Sequence, residues 1–144
     1  MNIFDAMDVS ASGLSAQRTR LNLATSNLAN AETTRGPDGK PYQRMDPVFE
    51  PIALGEDEGA PTSGGDVASV GVAVTAIEVD NSPGRRAFMP NHPDADADGF
   101  VTLPNVDPIH EVVNLLGAQR GYEANATAFE GARSMAQRAL DILS

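Results

Sequence analysis

Apolar residues recur every seventh position at both ends of the chain. In MNIFDAMDVSASGLSAQRTRLNLATSNLANAETT, Met7, Leu14, Leu21 and Leu28 form one column. Ile3, Ser10, Gln17, Ala24 and Ala31 form a second column of mostly small or polar residues. Such a repeat belongs to a helix whose seam faces another helix. No proline precedes Pro37, so a helix is expected over about 3–30, roughly 40 Å long at ~1.5 Å per residue. At the other end, Val112, Gln119, Ala126, Arg133 and Leu140 alternate with a column of Leu115, Tyr122, Phe129, Ala136 and Leu143. Asp107 suits an N-cap, Pro108 the first helical position, and Glu111 the positive end of the helix dipole. This second helix is expected over about 108–143. A stripe this narrow needs a partner helix, and each end offers one to the other.

Gly117, Gly121 and Gly131 interrupt the second helix. Each costs about 1 kcal/mol relative to Ala, which leaves the isolated helix marginal. Gly117 and Gly121, four apart, open one face to close approach by another backbone.

The middle follows another rule. ETTRGPDGKPYQ is turn chemistry. Pro47 and Pro51 restrict YQRMDPVFEPI to an edge strand or extended chain. LGEDEGAPTSGGD, 54–66, is acidic and glycine-rich and reads as a mobile loop. VGVAVTAIEVD alternates as a strand, and RRAFM and GFVTL are short strands. The expected fold is α+β, with long terminal helices packing as a coiled coil around a small β-rich, loop-rich middle. Its three parts are 1–31, 32–105 and 106–144.

Composition narrows the function. The 144 residues carry a net charge of −10, and residues 51–110 hold 10 acids against 2 bases. That argues against nucleic acid and anionic membrane surfaces as partners. Cysteine is absent, which removes disulfides, thiolate metal sites and a cysteine nucleophile. No apolar run has the length of a signal peptide or a membrane span, so a chain that leaves the cytosol is expected to use a route without a cleaved signal. His92 and His110 have no sequence companions for zinc, and no nucleophile elbow or phosphate loop occurs, so no enzyme and no cofactor is expected.

The run PDADADGF looks like the start of a calcium loop. With Asp94 at position 1, position 12 falls on Asn105, which cannot supply the bidentate carboxylate. Pro90, Pro93 and Pro104 stand where the flanking helices should be. A tight polar turn into GFVTL is the better reading.

Asn22, Asn27 and Asn30 sit beside Leu21, Leu23 and Leu28. Uncharged amides there suit a face buried against other protein with its polar groups paired. Residues 10–34, SASGLSAQRTRLNLATSNLANAETT, resemble the N-terminal signature of bacterial flagellar rod, hook and filament-type axial proteins. Residues 111–143 resemble their C-terminal helix, and PNHPDADADGFVTLPNVDP resembles the segment before it in the proximal-rod, FlgC-type branch. The acidic loop 55–66 and the pair Gly117 and Gly121 depart from that pattern.

The resemblance implies a structural subunit of the proximal rod, exported without a cleaved signal through the flagellar type III apparatus. It implies assembly in the periplasm with copies of itself and other rod proteins, above membrane-ring and export-gate adaptor proteins, into a tube carrying torque from motor to hook. The residues expected at assembly contacts are Leu14, Leu21, Asn27, Leu28 and Asn30 at one end, and Val112, Leu115, Tyr122, Phe129, Leu140 and Leu143 at the other. The bare heptads also fit a soluble two-helix adaptor that binds a basic partner through its acidic middle, and a calcium-binding module stands third.

Calcium should bind the Asp94–Asn105 segment more weakly than about 10⁻⁵ M, the upper edge of the sensor range. Titration calorimetry on the purified chain checks this, and a tighter constant would restore the calcium reading.

Overall fold

The computed structural model describes residues 3–54 and 69–143. The acidic loop expected at 54–66 lies, apart from Leu54, outside the described residues. The element order is α1 (Ile3–Ala29), β1 (Met45–Leu54), β2 (Ser69–Val79), β3 (Arg86–Phe88), β4 (Phe100–Thr102) and α2 (Pro108–Leu143). The chain is thus α+β, with two long terminal helices and short strands between. None of the described helices is long and apolar enough to cross a membrane.

α1 contains several Ser and Thr residues, poor helix formers that compete for backbone partners. Here their hydroxyls turn back onto the helix: Ser10 donates to the Ala6 carbonyl at 2.8 Å and Thr25 to that of Leu21 at 2.8 Å. α2 starts where its cap directs. The Asp107 carboxylate accepts the Ile109 amide at 2.9 Å, and its carbonyl accepts the Glu111 amide at 3.0 Å.

β1 and β2 pair as a two-stranded ribbon, so the prolines of β1 lie on an edge strand. β3 and β4 pair antiparallel with Arg86 opposite Thr102, Ala87 opposite Val101 and Phe88 opposite Phe100. The rings of Phe88 and Phe100 meet edge to face at 5.3 Å, and the Arg86 guanidinium lies 4.7 Å from the Phe100 centroid.

The described residues gather into two compact units. One draws on 3–19, 49–54, 69–75 and 118–143, the other on 20–48 and 76–117. In the first, α1 and α2 meet through small residues. Ser10, Ala16, Ala118 and Ala132 are buried. A Cβ on Gly13 would press on the Asn125 side chain at 2.8 Å, and one on Gly121 would meet Gln17 at 3.0 Å. These two pairs run in opposite directions along the two helices, so the helices are antiparallel there. The ribbon joins α1 at Gly71, where the Ser12 hydroxyl accepts the Val72 amide at 3.1 Å. In the second unit the buried residues are Ala24, Asn27, Ala31, Val101, Leu103, Pro104, Val106 and Glu111.

Gly84 lies so close to the Leu103 carbonyl oxygen that a Cβ would overlap it. Both groups are backbone and neither can swing aside. Gly84→Ala should therefore destabilise the chain by at least ~2 kcal/mol in urea unfolding. Gly117→Ala, with open space around the added methyl, should gain up to ~1 kcal/mol.

Candidate functional site

The second unit is organised by one amide and one carboxylate. Asn27 is 1% exposed. Its Nδ2 donates to the Met45 carbonyl at 2.8 Å and to Glu111 Oε2 at 3.3 Å. Its Oδ1 accepts the Met45 amide at 3.0 Å and the Tyr42 hydroxyl at 2.9 Å. Glu111, also 1% exposed, takes Arg44 Nε on its Oε1 at 2.6 Å. Arg44 continues to Asp46, with Nη2 at 2.9 Å from Oδ1. Burial alone would lower the pKa of Arg44, but its bonds to Asp46 and Glu111 outweigh that and raise it, so the guanidinium stays charged. Asn105 completes the set, accepting the Arg44 amide at 2.9 Å and donating to the Asp80 carbonyl at 2.9 Å.

Asn27, expected at an assembly contact, has a partner inside its own chain for every polar atom of its amide. Asn30 is half-buried; it donates to the Ser26 carbonyl at 2.9 Å and accepts from Thr33 Oγ1 at 3.2 Å.

The other expected contact residues remain at least partly open. Leu14, Leu21, Leu28, Leu115 and Phe129 are half-buried. Val112, Tyr122 and Leu140 are exposed, Leu140 at 67%. The side chain of Leu143 lies outside the described residues. The stripe buried on α1 is the small and polar one, through Ser10, Gly13, Ala16, Ala24 and Asn27, and the leucine column flanks it. On α2 the buried positions are Glu111, Ala118 and Ala132. The pairs Gly13–Asn125 and Gln17–Gly121 were not foreseen. Their signal is in the sequence as two copies of Gly-x-x-Ala-amide, GLSAQ at 13–17 and GYEAN at 121–125.

The aspartate run is a turn among protein donors. Asp94 accepts from Thr34 Oγ1 at 2.8 Å and pairs with Arg35 at 2.5 Å. Asp96 accepts the amides of Phe100 at 2.8 Å and Asp98 at 3.0 Å and pairs with Arg86 at 2.6 Å. The Phe100 amide, with those partners, holds the Asp96 carboxyl below its ordinary range. Gly99, at φ 81°, closes the turn.

Two family models match the chain. One, described as flagella basal body rod protein, covers residues 7–37, and another, flagellar basal body rod FlgEFG protein C-terminal, covers 97–142. The chain is 38% identical to the flagellar basal-body rod protein FlgC of Borreliella burgdorferi over 99% of both chains. It is 39% identical to that of Aquifex aeolicus, over 98% of this chain and 97% of the relative, and 39% identical to that of Bacillus subtilis over 99% of both.

The chain belongs to the FlgC family of flagellar basal-body rod proteins. As a rod-family member it is a structural subunit of the flagellar basal body. The matched segments contain most of α1, with Asn27, and most of α2, with Glu111, so the bond between these two residues bridges both family regions.

Removing the Glu111 carboxylate leaves buried donors on Asn27 and Arg44. Glu111→Ala should therefore cost about 3 kcal/mol, at the low end of a broken buried pair because Arg44 keeps Asp46. Its exposed neighbour Val112→Ala should stay within about 0.5 kcal/mol of the parent. Urea unfolding of the two variants checks the contrast.

Proposed function

We propose that the chain is a subunit of the proximal rod and that its terminal helices, paired as a coiled coil, pack with copies of itself and with other rod proteins into a tube. The tube transmits torque from motor to hook and lets other subunits pass through its lumen. It stands in the periplasmic span of the basal body, on membrane-ring and export-gate adaptor proteins at its base.

One observation carries this reading: on the helices the small side chains are inside and the large apolar ones outside. Ala16, Ala24, Ala118 and Ala132 are buried, while Phe4, Val113, Leu116, Met135, Leu140 and Ile142 are half or more exposed. A chain that ends its life as a monomer would reverse that order, since a buried Leu or Phe contributes about 1.5–3 kcal/mol and an Ala far less. Ordering each residue costs ~1–2 kcal/mol of backbone entropy. The exposed leucines, with Leu14, Leu21 and Leu28 on the flank of α1, supply the missing burial when further helices dock.

Leu140→Glu tests this. The site is 67% exposed, so the charge should leave the melting temperature of the isolated chain unchanged. Between packed helices it would lose several kcal/mol. The variant is expected to be made and exported but to yield no motile cells and no rods in purified basal bodies. Lys40→Gln, in an exposed turn, should assemble normally. Motile cells with complete basal bodies carrying Leu140→Glu would refute the packing.

A further inference from the structure

A strand edge is a row of unpaired amides and carbonyls, and an edge left open is a template for another strand. Within the second unit each ribbon has one edge closed by the chain itself. On β1, both backbone groups of Met45 are bound to the Asn27 side chain, and Pro47, two residues further along the same edge, has no amide to offer. On β4, Phe100 gives its amide to Asp96 Oδ1 and takes the Asp96 amide on its carbonyl, each at 2.8 Å.

The opposite edges are open. The Asp80 amide donates to the Arg44 carbonyl at 2.8 Å, so residue 80 faces β1 and, by alternation, Ile77 and Val79 turn their backbone groups outward. Arg85 and Met89 are bonded to Leu103 and Gly99, so Arg86 and Phe88 on β3 turn theirs outward. Among the described residues nothing bonds the outward groups of Ile77, Arg86 or Phe88, and the Val79 carbonyl receives only Asn81 Nδ2 at 3.4 Å. Ile77, Val79 and Phe88 are 51%, 45% and 64% exposed.

The two open edges fit each other better than either fits itself. Residues 76–80 hold Glu78 and Asp80 and no base, and residues 85–89 hold Arg85 and Arg86 and no acid. Pairing β2 with β2 of a second copy would set Glu78 on Glu78, and pairing β3 with β3 would bring four arginines to one seam. Pairing β2 with β3, antiparallel, sets Ile77 opposite Phe88 and Val79 opposite Arg86 on one face. On the other face it sets Glu78 opposite Ala87 and Asp80 opposite Arg85, with Arg85 also diagonal to Glu78. The neighbouring acids do not cancel this. Asp46 is held by Arg44, Asp94 by Arg35 and Asp96 by Arg86, and Asp98 adjoins Gly99, at the far end of β3 from Arg85. Neither Glu78 nor Arg85 has an ion-pair partner among the described residues.

We infer that the open edge of β3 in one copy of this chain adds, antiparallel, to the open edge of β2 in another, with Ile77 opposite Phe88. This rests on the rod-subunit reading and gives it a contact outside the helices. The two edges are different, so the contact is heterologous and propagates from copy to copy instead of stopping at a dimer.

A crosslink and a charge exchange in purified basal bodies test this. The chain has no cysteine. In this register residues 78 and 87 form a pair without mutual hydrogen bonds, with Cα atoms about 4.5 Å apart and within disulfide reach. In cells making both a Glu78→Cys chain and an Ala87→Cys chain, oxidation of the basal bodies should join the two as a dimer, and basal bodies built from either chain alone should give none. No crosslink in the mixture, or one formed by either chain alone, overturns the pairing. Glu78→Arg and Arg85→Glu, each alone, should lower the yield of intact rods by roughly tenfold through like-charge contact across the seam, and the double variant should recover it. Singles that assemble at the parent's yield, or a double that stays defective, overturn it as well. Failure of this pairing leaves rods that contain the chain without the crosslink, whereas failure of the rod reading leaves the parent chain absent from purified rods.

Discussion

The Glu111 carboxylate, withdrawn from solvent on the second helix, governs half of this molecule. A buried anion is tolerable only when its partners are held in place. Glu111 therefore requires Arg44 and Asn27 to stay where they are. Asn27 in turn holds both backbone groups of Met45, and Asn105 joins the Arg44 amide to the Asp80 carbonyl. The end of α1, the start of β1, the chain leaving β2 and the start of α2 are thus fixed by polar bonds and not by a large apolar core. Such a network specifies one geometry more sharply than it stabilises it.

Where the hub ends, steric fit takes over. Gly13 and Gly121 admit the amide side chains of Asn125 and Gln17, so the two helix backbones approach closely without bulky side chains between them. Close approach gives good dispersion contact but removes little apolar area from water. The large side chains are displaced to the outside, where they are available to other chains. The choice of small residues for the seam and the surplus of apolar surface outside it are one design, and each makes sense only with the other.

Much of this was legible in the sequence. Helix limits followed from the absence of proline before Pro37 and from the cap at Asp107, because capping and proline chemistry are local. The aspartate run was readable as a turn for the same reason. The seam was not. Heptad reading ranks columns by apolarity, so it selected Leu14, Leu21 and Leu28, whereas the positions buried on α1 are the small and polar Ser10, Gly13, Ala16, Ala24 and Asn27. A rule built on hydrophobic burial cannot recognise a seam that works by small size. Asn27 and Glu111, 84 residues apart, form a long-range bond that no local pattern announces. The repeated Gly-x-x-Ala-amide motif was visible, but its meaning required knowing that the two copies face each other.

The helix glycines separate what the single chain needs from what an assembly needs. Gly121 and Gly131 stand on the same helix and carry the same entropic penalty. Gly121 has its reason inside the chain, the Gln17 side chain packed against it. Gly117 and Gly131 look into open space. A methyl at either would fit the monomer and strengthen α2, so the monomer alone gives no physical reason for glycine there. On the rod-subunit reading proposed above, the bare backbone leaves room for a helix of another subunit to approach. Beside Gly117 stand the exposed aliphatic side chains of Ile109, Val113 and Leu116. On that reading α2 is marginal in the single chain, and the docking of further helices supplies the rest of its stability.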